Sequence, residues 1–215
     1  MGNLTGKKVF ITGAEQGIGK ATAEQLINAG CDIYIHYFSG EEGPKELAEL
    51  AHSRGQRAAY GYADLTDTAD TQRCVAAAAE FLGGIDILIN NVGGIIARKW
   101  LGEIDRQFWQ TVIDVNMTTM LNVTQSALPY LKSAKDGASV VNLASLAGRA
   151  GGHSGSLVYS MAKGAVLTWT RSLAAELGEY GIRVNAVAPG LILGTRFHNL
   201  HTSKEYADET NHGIP

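Results

Sequence analysis

Short apolar runs alternate along the chain with longer segments in which apolar residues recur every three to four positions. The short runs are typical of buried strands, and the longer spacing is typical of helices that cover a sheet. The pattern predicts strands at residues 8–12, 32–37, 57–62, 85–90, 138–143 and 182–187. It predicts helices at residues 17–29, 41–53, 66–82, 107–133 and 158–180. Strands and helices therefore alternate along the whole chain.

Two of the predicted strands, residues 85–90 and 138–143, are nearly continuous apolar runs. Such runs indicate burial on both faces, as in a parallel sheet with helices on either side. The fold class is therefore α/β, a Rossmann-type doubly wound parallel sheet, in which ligands bind beyond the carboxyl ends of the strands. No repeat or linker divides the chain, so residues 1–215 are expected to form a single domain.

Composition and charge narrow the classes of partner. With 215 residues, of which 45% are hydrophobic, the chain is long enough to fold without disulfides or a structural metal. A formal net charge of −3 gives no basic footprint for nucleic acid or an anionic membrane. Cys31 and Cys74 have neither a CxxC nor a Cys/His ligand spacing, which favours reduced packing residues and a cytoplasmic location. The expected ligand is a small molecule.

A glycine-rich turn, TGAEQGIG at residues 12–19, directly follows the first predicted strand. Gly13 permits a tight turn, Gly17 lets the backbone approach a pyrophosphate, and Gly19 allows close packing of the following helix. Free N–H groups at the start of that helix attract phosphate oxygens. The turn therefore predicts a phosphate cradle, although three glycines after a strand also serve ordinary sharp turns.

Tyr159 and Lys163 are four residues apart at the start of a predicted helix, and Ser145 follows a predicted strand. Residues at i and i+4 share one helix face, so the phenol and the ammonium can point into the same cleft. A nearby cation favours the phenolate and brings the tyrosine closer to the pKa of a useful acid or base. Without further context, the pair is an ordinary exposed helical pair.

The spacing GxxxGxG resembles the TGxxxGxG signature of classical short-chain dehydrogenases/reductases, and further matches follow in the family's order. Residues 90–93, NNVG, resemble the family's NNAG loop, Asp64 resembles the acid that binds the adenine amino group, and residues 189–190 resemble the PG turn beside the nicotinamide. The resemblance covers residue 6 to about residue 195 and implies NADP or NAD as cofactor. The cofactor-binding residues that it implies are Gly13, Gln16, Gly17, Ile18, Gly19, Tyr37, Asp64, Leu65, Asn91, Gly93, Tyr159, Lys163, Pro189, Gly190, Ile192 and Thr195.

The same resemblance implies a catalytic set of Asn116, Ser145, Tyr159 and Lys163. Tyr159 would exchange a proton with the carbonyl or alcohol oxygen, and Ser145 would orient that oxygen. Lys163 would lower the tyrosine pKa and hold the nicotinamide ribose, while Asn116 would hold a water of a proton relay. Ser145 and Tyr159 are 14 residues apart, one more than the commonest family spacing, and the loop at residues 151–153 is expected to absorb the difference.

The choice between NAD and NADP depends on the end of the second strand, where an acid favours NAD and an arginine favours NADP. Tyr37 stands where NAD-specific relatives hold aspartate, and Gln16 stands where NADP-preferring relatives often hold arginine. Glu15 would oppose a 2′-phosphate, whereas His36 and Ser39 would be able to contact one. On balance the segment favours NADP.

Beyond Thr195 the resemblance ends, since relatives normally continue through a further helix and a seventh strand. The sequence therefore suggests a chain that lacks the C-terminal strand region and has a mobile substrate lid at residues 194–213. Relatives of this kind also predict a homo-oligomer, either a dimer or a tetramer.

Three functions follow from these residues. The first is a carbonyl reductase similar to 3-oxoacyl-[acyl-carrier-protein] reductases, which interconverts a ketone and a secondary alcohol. The second is a sugar or polyol dehydrogenase of the same family. The third is a catalytically silent nucleotide-binding scaffold, which the intact catalytic set disfavours.

Overall fold

One parallel sheet of six strands organises the computed structural model, which describes residues 4–195. The strand order is β3-β2-β1-β4-β5-β6. The strands are β1 (Lys8–Ile11), β2 (Asp32–Tyr37), β3 (Ala58–Tyr62), β4 (Ile87–Asn90), β5 (Ala138–Leu143) and β6 (Ile182–Val187). All six agree with the predicted strands to within two residues at each end, so the predicted doubly wound parallel sheet is confirmed.

Helices connect consecutive strands. They are α1 (Gly17–Asn28), α2 (Glu42–Ser53), α3 (Thr68–Leu82), α4 (Arg106–Ile113), α5 (Thr119–Lys132), α6 (Ala147–Ala150) and α7 (Leu157–Leu177). The helix predicted at residues 107–133 is interrupted by a π-helical turn at Asp114–Thr118, which separates α4 from α5. The short α6 and the 3₁₀ turns Leu101–Glu103 and Gly178–Tyr180 are too brief to give a periodic pattern.

The core lies on both faces of the sheet because successive strand residues point in opposite directions. Phe10 packs into the cluster that contains α3 and α5, whereas Val9 and Ile11 pack into the cluster that contains α1 and α2. All three side chains are fully buried. Helices therefore cover both faces, as the apolar strands predict.

Buried polar side chains link the centre of the sheet to two helices. Asn90 Nδ2 donates to Asn142 Oδ1 at 2.9 Å and to Thr124 Oγ1 at 3.0 Å. Asn142 Nδ2 donates to Thr170 Oγ1 at 3.0 Å. These four residues, here called the Asn90–Asn142 network, join β4 and β5 to α5 and α7.

Cys31 and Cys74 are free and buried, and burial raises their thiol pKa values to about 11 and about 12.

Within residues 4–195, no helix is long and apolar enough to cross a membrane. No cluster of three metal-ligating His, Cys, Asp or Glu side chains occurs in this part of the chain. Apart from residues 194 and 195, the predicted lid lies outside the described residues.

Candidate active site

The glycine loop between β1 and α1 has the shape that its sequence predicts. Gly13 and Gly17 have φ values of +61° and +56°, which residues with side chains rarely adopt. A Cβ atom at Gly19 would lie 2.3 Å from the Gly13 carbonyl oxygen. The loop thus folds tightly onto the start of α1, where Gln16 makes no side-chain capping bond. First-turn N–H groups at such a helix start can hold phosphate oxygens.

His36 in β2 holds this loop in place. The Gly13 N–H donates to His36 Nδ1 at 3.1 Å, so Nδ1 is the unprotonated nitrogen. Nε2 therefore carries the proton and donates to the Ala63 carbonyl at 2.9 Å. Both ring nitrogens are used and the side chain is buried, which lowers the pKa of the imidazole. Neither ring nitrogen is therefore left to bond a 2′-phosphate, so the suggested contact of His36 gains no support.

Asn91, at the end of β4, fastens the same loop from the other side. Its side-chain Nδ2 donates to the carbonyls of Thr12 and Gly13 at 3.0 and 2.7 Å. The Thr12 hydroxyl in turn accepts from the backbone N–H groups of Asn91 and Val92. The carboxyl ends of β1 and β4 are thus held together at the point where the strand order reverses.

Tyr37 differs from its prediction as a cofactor-binding residue. Because side chains alternate along a strand, His36 turns toward Gly13 while Tyr37 packs edge-on against Tyr60 and Tyr62. Phe38, the next residue, lies on the cavity wall instead and stacks on Tyr62 with ring centres 5.8 Å apart. This aromatic wall was missed because nothing in the local pattern shows which way a residue just beyond a strand will face.

Asp64 and Leu65 follow β3 and line the cavity. Asp64 Oδ1 accepts from the backbone N–H and the hydroxyl of Thr66, which folds the loop into a tight turn. The Leu65 carbonyl accepts from Asn122 Nδ2 at 3.0 Å, which ties the turn to α5.

The catalytic candidates Ser145, Tyr159 and Lys163 meet at the opposite end of the cavity. A hydrogen bond joins the Ser145 and Tyr159 side chains, and the Lys163 Nζ atom donates to the Leu143 carbonyl at 2.7 Å. Complete burial lowers the pKa of Lys163 to about 8. Burial raises the pKa of Tyr159, and the Ser145 hydrogen bond opposes that rise. The structure does not show the lowering predicted for Lys163, because its ammonium is turned to the Leu143 carbonyl, 6.0 Å from the Tyr159 ring centre.

The chain between Ser145 and Tyr159 contains α6 and the glycine loop behind it. A Cβ atom at Gly148 would lie 2.5 Å from the Lys163 carbonyl carbon, so α6 packs directly on the backbone of α7. Gly151 and Gly152 then turn the chain with φ values of +89° and +70°. The role of the loop at residues 151–153 in absorbing the extra residue stays a prediction.

Asn116 lies in the π-helical turn, behind the cavity wall. Its Nδ2 donates to the carbonyls of Gly94 and Val112 at 2.8 and 2.9 Å, and its Oδ1 accepts from the Gly94 N–H at 3.0 Å. A Cβ atom at Gly93 would lie 2.8 Å from this Oδ1 and 2.6 Å from Lys163 Nζ. The side chain of Asn116 thus shapes the loop after β4 beside Lys163, and its role in holding a water stays a prediction.

The loop after β6 forms another wall of the cavity. The Pro189 carbonyl accepts from the Leu146 N–H at 2.9 Å, which joins this loop to the loop after β5. The Thr195 hydroxyl donates to the Ile192 carbonyl at 3.0 Å, and its methyl carbon would lie 3.7 Å from a Cβ atom at Gly17. The predicted nicotinamide side and the glycine loop therefore come together across the cavity.

A continuous cavity of about 700 Å³ extends from the glycine loop to the Ser145–Tyr159 pair. This volume is within the usual range for cofactor and ligand sites, and the glycines leave the backbone open to a phosphate. Every predicted site residue lines it except Tyr37 and Asn116. Lining residues outside the predicted set include Glu15, Phe38, Arg98 and His153. The residues present therefore fit a dinucleotide at one end and a reacting carbonyl or alcohol at the other.

Comparisons with known proteins agree with this arrangement. The model of the short chain dehydrogenase family matches residues 7–205. The oxidoreductase UcpA of Salmonella typhimurium is 39% identical over 194 residues, which are 89% of this chain and 72% of that protein. The 3-oxoacyl-[acyl-carrier-protein] reductase FabG of Staphylococcus aureus is 33% identical over 187 residues, which are 87% of this chain and 75% of that protein.

Two solved structures show the same fold with dinucleotides bound. The NADH-dependent reductase A1-R′ complexed with NAD has a TM-score of 0.84 and 37% identity, over 88% of this chain and 80% of that one. A short chain dehydrogenase from Burkholderia cenocepacia in complex with NADP has a TM-score of 0.90 and 29% identity, over 99% of this chain and 84% of that one. With the family match and the curated relatives, this places the chain in a family of known chemistry: it belongs to the short chain dehydrogenases, a family of oxidoreductases.

Proposed function

We propose that this chain is an NAD(P)(H)-dependent oxidoreductase that interconverts a ketone and a secondary alcohol, with Tyr159 as its acid and base. The observation that carries the proposal is the hydrogen-bonded Ser145–Tyr159 pair in a cavity that continues to the glycine loop. Related proteins of known structure bind NAD or NADP.

The glycine loop and the start of α1 would hold the pyrophosphate, while Asp64 and Phe38 lie where they would contact the adenosine half. Lys163 and the residues after β6 would hold the nicotinamide half. The bound dinucleotide supplies or accepts a hydride. Because the cradle is made largely of backbone groups, it is preorganised and needs little rearrangement to bind.

Tyr159 would transfer the proton to or from the oxygen of the reacting group. In reduction, the phenol O–H donates to the carbonyl oxygen as negative charge develops there, and in oxidation the phenolate takes the alcohol proton. Ser145 would donate a second hydrogen bond to the same oxygen and stabilise that charge. Burial raises the pKa of Tyr159, so the side chain is held as the neutral phenol, which is the form that donates the proton in reduction.

A 3-oxoacyl substrate is our first candidate, since FabG, a 3-oxoacyl-[acyl-carrier-protein] reductase, is 33% identical to this chain. A sugar-derived carbonyl compound is the second. It is supported by the similarity to the A1-R′ reductase, which is described as responsible for alginate metabolism, and by the polar side chains of Arg98 and His153 on the cavity wall.

We further propose a cytoplasmic location and a homodimer or homotetramer. Large apolar side chains at Trp100, Leu101 and Trp109 are exposed near α4 and support self-association. Light scattering on purified protein measures the assembly, and a monomer across micromolar concentrations would contradict it.

The proposed chemistry is tested with Tyr159→Phe. We expect the variant to bind dinucleotide like the wild type but to lose roughly 100-fold or more in kcat with any accepted ketone, because the phenol that would transfer the proton is absent. Tyr180→Phe is the control, because it makes the same substitution on the exposed 3₁₀ turn. Normal turnover by Tyr159→Phe would refute the proposal.

A further inference from the structure

Glu15 in the glycine loop has a carboxylate oxygen that lacks a hydrogen-bond donor. Its Oε1 accepts from the Ser39 hydroxyl at 3.1 Å. Its Oε2 is buried and has no hydrogen-bond partner among the described residues. Oε1 belongs to the exposed part of the carboxylate on the cavity wall, and a carboxylate oxygen that accepts one hydrogen bond keeps a second lone pair for a donor on a ligand.

The position of this carboxylate is set by three contacts. Ser39 follows β2, so its hydrogen bond draws Glu15 to the carboxyl end of that strand. A Cβ atom at Gly43 would lie 2.1 Å from the Glu15 carbonyl oxygen, so the start of α2 packs directly on the Glu15 backbone. On the other side, Gly13 is held by His36. Glu15 is therefore fixed by its surroundings.

In dinucleotide sites, an acid at the end of the second strand binds the 2′-hydroxyl of the adenosine ribose. In this chain that strand end carries Tyr37, which packs against Tyr60 and Tyr62. Glu15 brings a carboxylate to the same place from the loop after β1. The acid that is absent from the end of the second strand is thus supplied by a neighbouring loop.

Charge along the cavity points the same way. Glu15 and Asp64 line the adenosine end. The Lys and Arg side chains on the described cavity wall are Arg98, which donates to the Ser154 carbonyl, and Lys163, which donates to the Leu143 carbonyl. Both bonds place the cations at the catalytic end. A 2′-phosphate would therefore meet carboxylates at the adenosine end.

We propose that Glu15, positioned by Ser39, accepts a hydrogen bond from the ribose 2′-hydroxyl and excludes a 2′-phosphate, so that the chain selects NAD(H) over NADP(H). The assignment rests on the proposed function. It reverses the preference for NADP that the sequence alone favoured, where the tyrosine at position 37 in place of an acid counted for more than Glu15.

The test is a titration of the full chain with NADH and with NADPH, followed by tryptophan quenching and nicotinamide fluorescence. We expect NADH to bind at least about tenfold more tightly, a difference of about 1.4 kcal/mol. Glu15→Gln keeps the size of the side chain and its acceptor for Ser39 but removes the charge. It should tighten NADPH about tenfold while weakening NADH by no more than about threefold.

Glu41→Gln is the matched control, because Glu41 is exposed just before α2 and does not line the cavity. It should leave the ratio of the two dissociation constants unchanged. ADP-ribose and 2′-phospho-ADP-ribose give the same comparison on wild-type protein alone, and the unphosphorylated ligand should bind more tightly.

Equal or tighter binding of NADPH by the wild type would overturn the assignment and leave the proposed function intact. An unchanged ratio in a folded Glu15→Gln protein would overturn it in the same way. If the folded wild type bound neither dinucleotide, the proposed function itself would fail, and the role of Glu15 with it.

Discussion

His36 shows how one side chain can shape a binding loop through hydrogen bonds within the protein. Its two ring nitrogens join the Gly13 N–H to the Ala63 carbonyl, so the loops after β1 and β3 are tied through β2. Only the neutral imidazole can accept from Gly13 while donating to Ala63. Burial, which lowers the imidazole pKa, keeps the ring in that form.

We expect His36→Phe to lower the free energy of unfolding by about 3 kcal/mol, because it leaves a buried donor and a buried acceptor unpaired. It should weaken NADH and NADPH by similar factors, since it disturbs the loop that both would share. Denaturant unfolding and dinucleotide titration measure the two effects. His52→Phe is the control, because His52 is exposed and its Nε2 makes one longer contact of 3.3 Å with Ala58. Wild-type stability in His36→Phe would contradict the role given to this residue.

Lys163 is a second residue whose charge is costly to the fold. Complete burial lowers its pKa from 10.5 to about 8, so the folded state binds fewer protons than the unfolded state between these values. The stability contributed by this residue therefore rises with pH in that window.

The free energy of unfolding of the wild type relative to Lys163→Met should rise by about 2 kcal/mol between pH of about 8 and about 10. Comparing the two proteins cancels the contributions of Cys31, Cys74 and the other groups that titrate in this range. A flat difference for Lys163→Met would show that the ammonium is not buried as described.

At the scale of elements, polar side chains between strands and helices keep the strand ends in register. In the Asn90–Asn142 network, facing asparagines of β4 and β5 connect to Thr124 of α5 and Thr170 of α7. The network lies directly below the loops that carry Asn91 and Ser145. It thus fixes the two strand ends from which the cofactor loop and the catalytic serine project.

Asn142→Ala should lower the free energy of unfolding by about 3 kcal/mol, since Asn90 loses an acceptor and Thr170 a donor inside the core. Asn185→Ala is the matched control in the neighbouring strand β6, where Asn185 is exposed, and should change stability by less than about 0.5 kcal/mol. Chemical denaturation compares them. Equal effects of the two substitutions would show that the buried network contributes no more to the free energy of unfolding than an exposed asparagine does.

At the scale of the whole molecule, the cavity joins loops from both halves of the sheet. The glycine loop comes from the half that contains β1 to β3, and the Ser145–Tyr159 pair comes from the half that contains β4 to β6. A ligand that fills the cavity therefore contacts both halves, and its binding energy adds to the stability of the fold.

NADH at about 100 times its Kd should stabilise the wild type by about 2.7 kcal/mol and raise Tm by about 5–10 °C. Tyr159→Phe should keep this shift, because it removes chemistry and not the cradle. Gly19→Ala should lose it, since a Cβ atom would lie 2.3 Å from the Gly13 carbonyl. Differential scanning fluorimetry gives all three values. A full shift in Gly19→Ala would contradict the close packing at this glycine.

Much of the fold was predictable because buried strands and helices show a local pattern of apolar residues. The apolar runs of β4 and β5 are buried as strands between two layers of helices, and their order along the chain implies a parallel sheet. Short elements such as α6 show no such pattern, because four residues are too few to reveal a helical period. The π-helical turn at Asn116 was hidden for a similar reason, since one widened turn barely alters the helical spacing.

By itself, the sequence determined the strands and the glycine loop, because apolar runs and glycine spacing set these features locally. The catalytic candidates followed from its resemblance to a known family. Only the tertiary structure decided which way the residues at the end of β2 face. It turned His36 inward to Gly13, packed Tyr37 on β3, and brought the carboxylate of Glu15 to Ser39. It likewise decided that Lys163 bonds to the Leu143 carbonyl. These contacts join segments that are distant along the chain, and their geometry depends on how the strands and helices pack.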